Sequence, residues 1–303
     1  MKKVLVIAGP TAVGKSDFAV NLAREFHCEI ISGDSIQVYR GLDIGSGKIT
    51  REEMRGVKHH LIDILDPDDS YNVADFQKMA RELIEQEPLK IICGGTGLYL
   101  KSCLYDYEFQ KEEDSLPSVD PELEQFSNVQ LYEMLKESDP VQAEKIHVNN
   151  RRRLLRSLTI QKRSGQVQSR LEQQQEHKML YDAKIIGCTM DREKLYARIN
   201  ARVEGMFANG LLEEVERLVN GGISFGRQSM QGIGYKEFKP YFEGTCTLEE
   251  VKAEIQKHSR QFAKRQYTWL NHQMPVQWCD MTDEEALNAT LKDIQAWYTN
   301  EAK

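Results

Sequence analysis

A chain of 303 residues with 40% hydrophobic and 29% charged side chains is too apolar for disorder and long enough for two domains, or for one core carrying a large insertion. Its formal net charge of −7 argues, as a total, against a nucleic-acid partner, and no stretch approaches the ~20 consecutive apolar residues that span a membrane. The six cysteines (Cys28, Cys93, Cys103, Cys188, Cys246, Cys279) lie far apart with no Cys-x-x-Cys pair, which speaks against a disulfide scaffold or a zinc ribbon and for a reduced, cytoplasmic protein.

The basic start Met1-Lys2-Lys3 leads into Val4–Ala8, an apolar run shorter than the roughly 7–15 residues of a signal peptide. It reads instead as a buried parallel strand. Gly9-Pro10-Thr11-Ala12-Val13-Gly14-Lys15-Ser16 follows and fits the phosphate-loop pattern G-x-x-x-x-G-K-[ST], with an amphipathic helix expected over Lys15–Phe26. Glycines let successive N–H groups turn inward on an anion, and the helix adds the positive end of its dipole. Lys15 would reach the terminal phosphate and the Ser16 hydroxyl would ligate Mg²⁺. The loop requires two linked phosphates and does not require that they belong to ATP.

A second strand is expected over Glu29–Ser32, placing Asp34 at its carboxyl end, where ligands of parallel α/β sheets bind. Three uses are open for that carboxylate: magnesium ligand, general base, or an Asx-turn capping the strand. His59-His60 reads as structural, Leu61–Leu65 as a third strand, and Val73–Glu85 as a helix started by Ser70 or Asn72. Leu89–Cys93, after Pro88, reads as a fourth strand. Gly94-Gly95-Thr96-Gly97 then offers either ligand contacts from backbone N–H groups and the Thr96 hydroxyl, or merely a tight strand–helix connection.

The strand–helix alternation stops between about 113 and 181, where Pro117, Pro121 and Pro140 punctuate a charged, Gln-rich, helix-prone stretch. Residues 105–144 hold two basic residues (Lys111, Lys136) against twelve acidic ones, and residues 145–170 hold eight basic residues and no acid. Such runs are often solvated helix faces, but Arg151, Arg152, Arg153 and Arg156 within six positions suit bidentate phosphate contact. Strands then resume at Ile185–Met190 and Val276–Cys279. Between them Asp191–Val219 reads as one helix with Leu195, Ile199, Val203 and Phe207 inward, stopped by Gly221-Gly222. Arg198 and Arg202 share one face of it, as a solvated pair or with an anion between them. Thr247-x-x-Glu250 is a capping box opening a helix with Val251, Ile255, Phe262 and Trp269 as its buried stripe. The expected fold is α/β: a P-loop NTPase-like parallel sheet flanked by helices (1–112 and 182–303), interrupted by a helical insertion domain (113–181).

Taken in order, several segments resemble the bacterial tRNA dimethylallyltransferase family. They are Gly9 to Ser16, Asp34-Ser-Ile-Gln-Val-Tyr-Arg-Gly-Leu-Asp-Ile-Gly45, His59-His-Leu-Ile-Asp-Ile-Leu-Asp-Pro67, Gly94-Gly-Thr-Gly-Leu-Tyr99, Asp139-Pro140 through His147, Arg151 to Arg156, Ser229-Met-Gln-Gly-Ile-Gly-Tyr235, and Arg260 to Gln266 with Thr268-Trp-Leu270. The resemblance implies transfer of a dimethylallyl group from dimethylallyl diphosphate to N6 of an adenosine beside the anticodon of tRNA, with Mg²⁺ assisting. It implies that Asp34 is the base, that Thr96 lies near the target nucleotide, and that Arg202 meets the diphosphate held by Gly9–Ser16. It further implies that Asp34, Ser35, Ile36, Gln37, Thr96, Arg152, Arg153, Arg156, Gln231, Gly234, Tyr235 and Lys236 contact the anticodon stem-loop of tRNA; separately, the chain is expected to be a monomer, and its hydropathy predicts no membrane association. Departures from the family pattern are Ser46-Gly47-Lys48-Ile49 in place of Thr-Ala-Lys-Pro and His147-Val148-Asn149-Asn150 in place of His-Pro-Asn-Asp, and the insertion is shorter than is common. The alternatives are an adenylate isopentenyltransferase and a small-molecule P-loop kinase or nucleotide-dependent switch. A Walker-B-type Asp, expected of the latter, is missing from the strand end Ile91-Ile92-Cys93-Gly94.

Overall fold

The computed structural model describes residues 1–86, 89–107, 119–173 and 177–300. Pro88, Lys111, Pro117 and the expected domain border near 112 lie outside the described residues. The chain forms two units: a core of Met1–Tyr105 with Met179–Lys303, and an inserted unit of Asp106–Lys178. Met179–Tyr181, assigned to the insertion by composition, therefore belong to the core. The reason is backbone pairing: Tyr105 and Met179 form an antiparallel bridge, and Leu180 N donates to Leu104 O at 2.8 Å.

The core is a parallel sheet of β1 (Lys3–Ala8), β2 (Glu29–Ser32), β3 (His59–His60), β4 (Leu89–Gly94), β5 (Asp182–Thr189) and β6 (Gln277–Asp280), in spatial order β3-β2-β4-β1-β5-β6. β1 lies between β4 and β5, and Val4 through Ala8 are all fully buried. Its side chains alternate between two helical layers, as strand geometry dictates. Val4 and Val6 share a cluster with Phe76, Leu100, Val203 and Ile255, while Leu5 and Ile7 share another with Leu22, Ile199 and Ile294. This is the expected P-loop-like α/β sandwich. Among the described residues, no helix is long and apolar enough to cross a membrane.

Three elements differ from expectation. The third strand is His59–His60, because positive φ at Leu61 (61°) and Asp63 (54°) bends the chain out of extended geometry, leaving only a bridge from Leu65 to Tyr39. The expected helix over 191–219 is two helices, Arg192–Ala208 and Leu211–Asn220, broken where Gly210 takes φ 94°. The helix opened by the Thr247–Glu250 capping box runs over Leu248–Gln273, but its buried stripe passes through Val251, Ile255, Ala263, Gln266 and Leu270. Phe262 and Trp269 lie at its half-buried edge.

The inserted unit has its own apolar centre, in which Leu131 and Leu135 of the helix Asn128–Ser138 meet Leu154, Leu155 and Leu158 of the helix Arg151–Ser164. Asp139, which lies between these helices in sequence and is buried, spends one carboxylate oxygen on Gln142 N (3.1 Å) and the other on Ser169 N (2.9 Å). Arg151 is held by the carbonyl groups of Phe126 (2.7 Å) and Glu124 (2.6 Å), and Lys162 pairs with Asp120 and Glu122. Arg152, Arg153 and Arg156 are exposed, and none of them forms an ion pair among the described residues.

Candidate active site

Register brings the site together. Ala8 at the end of β1 pairs with Gly94 of β4, and Ser32 of β2 pairs with Cys93, so the loops after β1, β2 and β4 leave the same edge of the sheet side by side. The approach is close enough to exclude side chains: a Cβ on Gly9 would lie 2.6 Å from Cys188 O, and one on Gly94 2.5 Å from Gly33 O. Gly9 (φ 141°), Ala12 (φ 64°) and Gly14 (φ 100°) curl the phosphate loop before the helix Lys15–Glu25 begins. Lys15 Nζ folds back and donates to Pro10 O at 2.5 Å. Burial pulls its pKa below the ordinary lysine value and Arg202 adds to that, while the carboxylate of Asp34 opposes it. A cation so desolvated gains most from an arriving polyanion. Burial also pushes the neighbouring thiols up, Cys93 to about 11 and Cys188 to about 12, which keeps both neutral.

Asp34 forms the Asx-turn: Oδ1 accepts from Ile36 N (2.8 Å) and Gln37 N (3.2 Å). That leaves Oδ2 without a hydrogen-bond partner among the described residues, so the turn use and a chemical use are compatible. Thr96 precedes the helix Gly97–Leu104 without capping it, and its half-buried hydroxyl is unengaged among the described residues. Arg202 donates from Nη1 to Thr11 Oγ1 (3.3 Å) and from Nη2 to Gly47 O (2.9 Å). Gly47, one of the departures from the family pattern, has φ 58°, and a Cβ there would lie 1.7 Å from Arg202 Nη2. Burial lowers the pKa of Arg202 and the charge of Asp34 raises it again. Arg198, one turn earlier, is exposed. Lys15, Asp34 and Arg202, distant in sequence, thus lie close enough for their charges to interact, and Thr96 stands on the neighbouring loop after β4.

The remaining expected contacts divide. Ser35, Ile36 and Gln37 are half-buried on the turn after Asp34, and Gln231 and Lys236 are exposed. Tyr235 is fully buried, its ring against Gly45 and its hydroxyl donating to Glu214 Oε1 at 2.8 Å while accepting from Ser46 N at 3.0 Å. Gly234 is buried against the Gly45 backbone with φ 100°. Both are therefore braces for the 43–47 loop and not tRNA contacts in this conformation, because packing against Gly45 removes their surfaces from any ligand.

Two residues escaped sequence reasoning. Glu214 accepts from the backbone N–H groups of Asp43 (3.0 Å), Ile44 (2.8 Å) and Gly45 (3.0 Å). Gln266 links the phosphate loop to Gly95. Both sit on the buried stripes of their helices, where a lone polar residue amid apolar positions is the one sequence signal that could have marked them. A cavity of about 1110 Å³ lined by Phe225, Phe242, Lys236 and His258 includes neither the phosphate loop nor Asp34, Thr96 or Arg202. No group of three or more His, Cys, Asp or Glu side chains suited to a metal ion is found among the described residues, and Ser16, in the first turn of the helix Lys15–Glu25, is exposed.

Residues 37–273 match the IPP transferase family, and residues 2–68 match the isopentenyl transferase family. The tRNA dimethylallyltransferase of Anoxybacillus flavithermus is 48% identical over 300 residues, covering 97% of this chain and 95% of that one. The Bacillus cereus protein of the same name is 47% identical over 305 residues, with 97% and 95% covered. Among solved structures, the tRNA delta(2)-isopentenylpyrophosphate transferase of Staphylococcus epidermidis aligns with TM-score 0.72 at 41% identity, over 98% of this chain and 99% of that one. A eukaryotic dimethylallyltransferase acting on tRNA aligns with TM-score 0.81 at 28% identity, over 97% and 78%. The chain belongs to the IPP transferase family, among the tRNA dimethylallyltransferases.

Proposed function

We propose that this chain moves a dimethylallyl group from dimethylallyl diphosphate to N6 of an adenosine adjacent to the anticodon of tRNA. The observation that supports it best is the gathering of charge at the strand ends: the desolvated Lys15 of the curled glycine loop lies within electrostatic reach of Asp34 and Arg202, while Asp34 Oδ2 and the Thr96 hydroxyl on the neighbouring loops have no hydrogen-bond partner among the described residues. The loop N–H groups, Lys15 and Arg202 hold the diphosphate and stabilise the charge that develops as the allylic C–O bond breaks. Adenine N6 is a poor nucleophile because its lone pair is delocalised into the ring. Asp34 Oδ2 takes the N6 proton as the C–N bond forms, so that the products are prenylated adenosine, diphosphate and a protonated carboxyl. Thr96 orients the adenine. Ser16 would hold Mg²⁺ beside the diphosphate, where the ion would supply further neutralisation of the leaving group.

The exposed Arg152, Arg153 and Arg156, without ion pairs among the described residues, favour a polyanionic acceptor over a free adenine nucleotide, which would leave them unused. Mass spectrometry of unmodified tRNA incubated with the protein, Mg²⁺ and dimethylallyl diphosphate is expected to show one added dimethylallyl group on an adenosine next to the anticodon. Modification of AMP in place of tRNA, or phosphoryl transfer from ATP to small acceptors, would refute the proposal.

A further inference from the structure

Gln266 is 6% exposed on the buried stripe of the helix Leu248–Gln273, between Ala263 and Leu270. A primary amide in such a place is costly unless both of its ends are paired. Here both are, and to two different loops. Its Oε1 accepts from Thr11 N at 3.0 Å, and its Nε2 donates to Gly95 O at 3.0 Å. Thr11 belongs to the phosphate loop, and Gly95 immediately precedes Thr96. The absence of a side chain at residue 95 is what admits the amide, since a Cβ there would lie 2.1 Å from Gln266 Nε2 and 3.0 Å from Gly9 O. One turn further along the same helix, Trp269 covers Gly97 so closely that a Cβ would lie 2.0 Å from the indole. Thr11 is gripped on its other side by Arg202 through its hydroxyl.

We propose that Gln266 is a positioning residue that fixes the separation between the diphosphate cradle and the Thr96 loop. It rests on the reading given under Proposed function, in which one loop holds the leaving group and the other the adenine. Gln266 itself is buried, and both ends of its amide are taken by backbone groups. It acts by holding Thr11 and Gly95 on one rigid amide, so that the allylic carbon and N6 meet in line. Misplacement by about 1 Å is enough to cost ~10²-fold in such a transfer.

The test compares Gln266→Met, which keeps the volume and removes both hydrogen bonds, with Gln266→Glu, which keeps an acceptor for Thr11 and loses the donor to Gly95 until it is protonated. Single-turnover rate constants, dissociation constants for dimethylallyl diphosphate and for tRNA separately, and melting temperatures are measured for both variants and the wild-type protein. Expected are rate constants 10- to 100-fold below wild type, with both dissociation constants within about threefold of it. The Gln266→Glu deficit, expressed against wild type at the same pH, is expected to shrink on going from pH 8.5 to pH 6 as the buried carboxyl regains an O–H donor. A purely structural role would lower melting temperature and reaction amplitude while leaving the rate constant within twofold of wild type in both variants. That result, or a loss confined to diphosphate affinity, would overturn the proposal. A wild-type protein that transfers no dimethylallyl group to tRNA would instead overturn the underlying functional reading.

Discussion

Asp34 shows how one carboxylate serves fold and chemistry together. Because Oδ1 is committed to the amides of Ile36 and Gln37, Asp34→Asn retains the turn through its own Oδ1 while removing the negative charge and with it the capacity to take a proton. Turnover is expected to fall by ~10²–10⁴ with little change in affinity for tRNA or diphosphate. Single-turnover rates across a magnesium titration check this; rescue by excess Mg²⁺ would make Asp34 a metal ligand. Arg202→Ala removes both a charge at the cradle and the grip on Thr11 and Gly47, so catalysis and diphosphate affinity should drop at least tenfold while tRNA affinity stays near wild type. Gly47→Ala should act in the same direction and more weakly, since the added methyl displaces the guanidinium without removing it. Steady-state kinetics with each substrate varied in turn would expose a wrong assignment as a shift in the tRNA constants. At this scale the sequence was a good guide to which charged residues gather beside the phosphate loop. It was silent on Gln266 and misleading on Tyr235, because a side chain's surroundings are decided by segments more than 150 positions away.

At the scale of elements, legibility followed the strength of local signals. β1, β2 and β4 are short runs with apolar centres, each ending at or beside a glycine, and their limits were readable to within a residue or two. The third strand was misplaced because the apolar residues of 61–65 resemble a strand while the backbone turns. The single helix expected over 191–219 failed at Gly210, where periodicity continues in phase across a left-handed residue. The second of those helices carries Glu214, whose buried carboxylate accepts three backbone N–H groups and the Tyr235 hydroxyl. Glu214→Ala orphans all four, and the loss is expected to exceed about 3 kcal/mol in urea unfolding. In the inserted unit, replacing Arg152, Arg153 and Arg156 with Ala should weaken binding to every tRNA. The log–log salt slope should also flatten by roughly 0.7–0.9 for each phosphate left without its arginine. An unchanged slope would return these arginines to the role of a solvated helix face.

Across the whole molecule, acid stability has an identifiable source at the open end of the sheet. Lys90 of β4 is buried, and its ammonium is matched by Glu29 of β2 at 2.5 Å, with His60 of β3 joining the same oxygen at 2.7 Å. The hydrogen bond from Lys90, then that from His60, lowers the Glu29 pKa to about 2 from its ordinary 4.5. A carboxyl depressed on folding stabilises the native state above its unfolded pKa and loses that contribution as pH falls through the folded one. Stability should therefore decline between about pH 4.5 and 2, and Glu29→Gln should be less stable at neutral pH and flatter over that window in denaturant titrations.

The position of the inserted unit also shapes the order of events on the ribosome. β1 emerges first and finds β4 within the first hundred residues, but its other partner, β5, is encoded only after the chain has detoured through Asp106–Lys178. At ~5–20 residues per second, the roughly 70-residue detour holds the most deeply buried strand with one bare edge for about 4–15 s of translation. An unpaired apolar edge is a template for wrong partners. The nascent protein thus passes through an interval in which the inserted unit, with its own apolar centre, is free to fold while the catalytic core is still incomplete, and in which chaperone protection has most to offer.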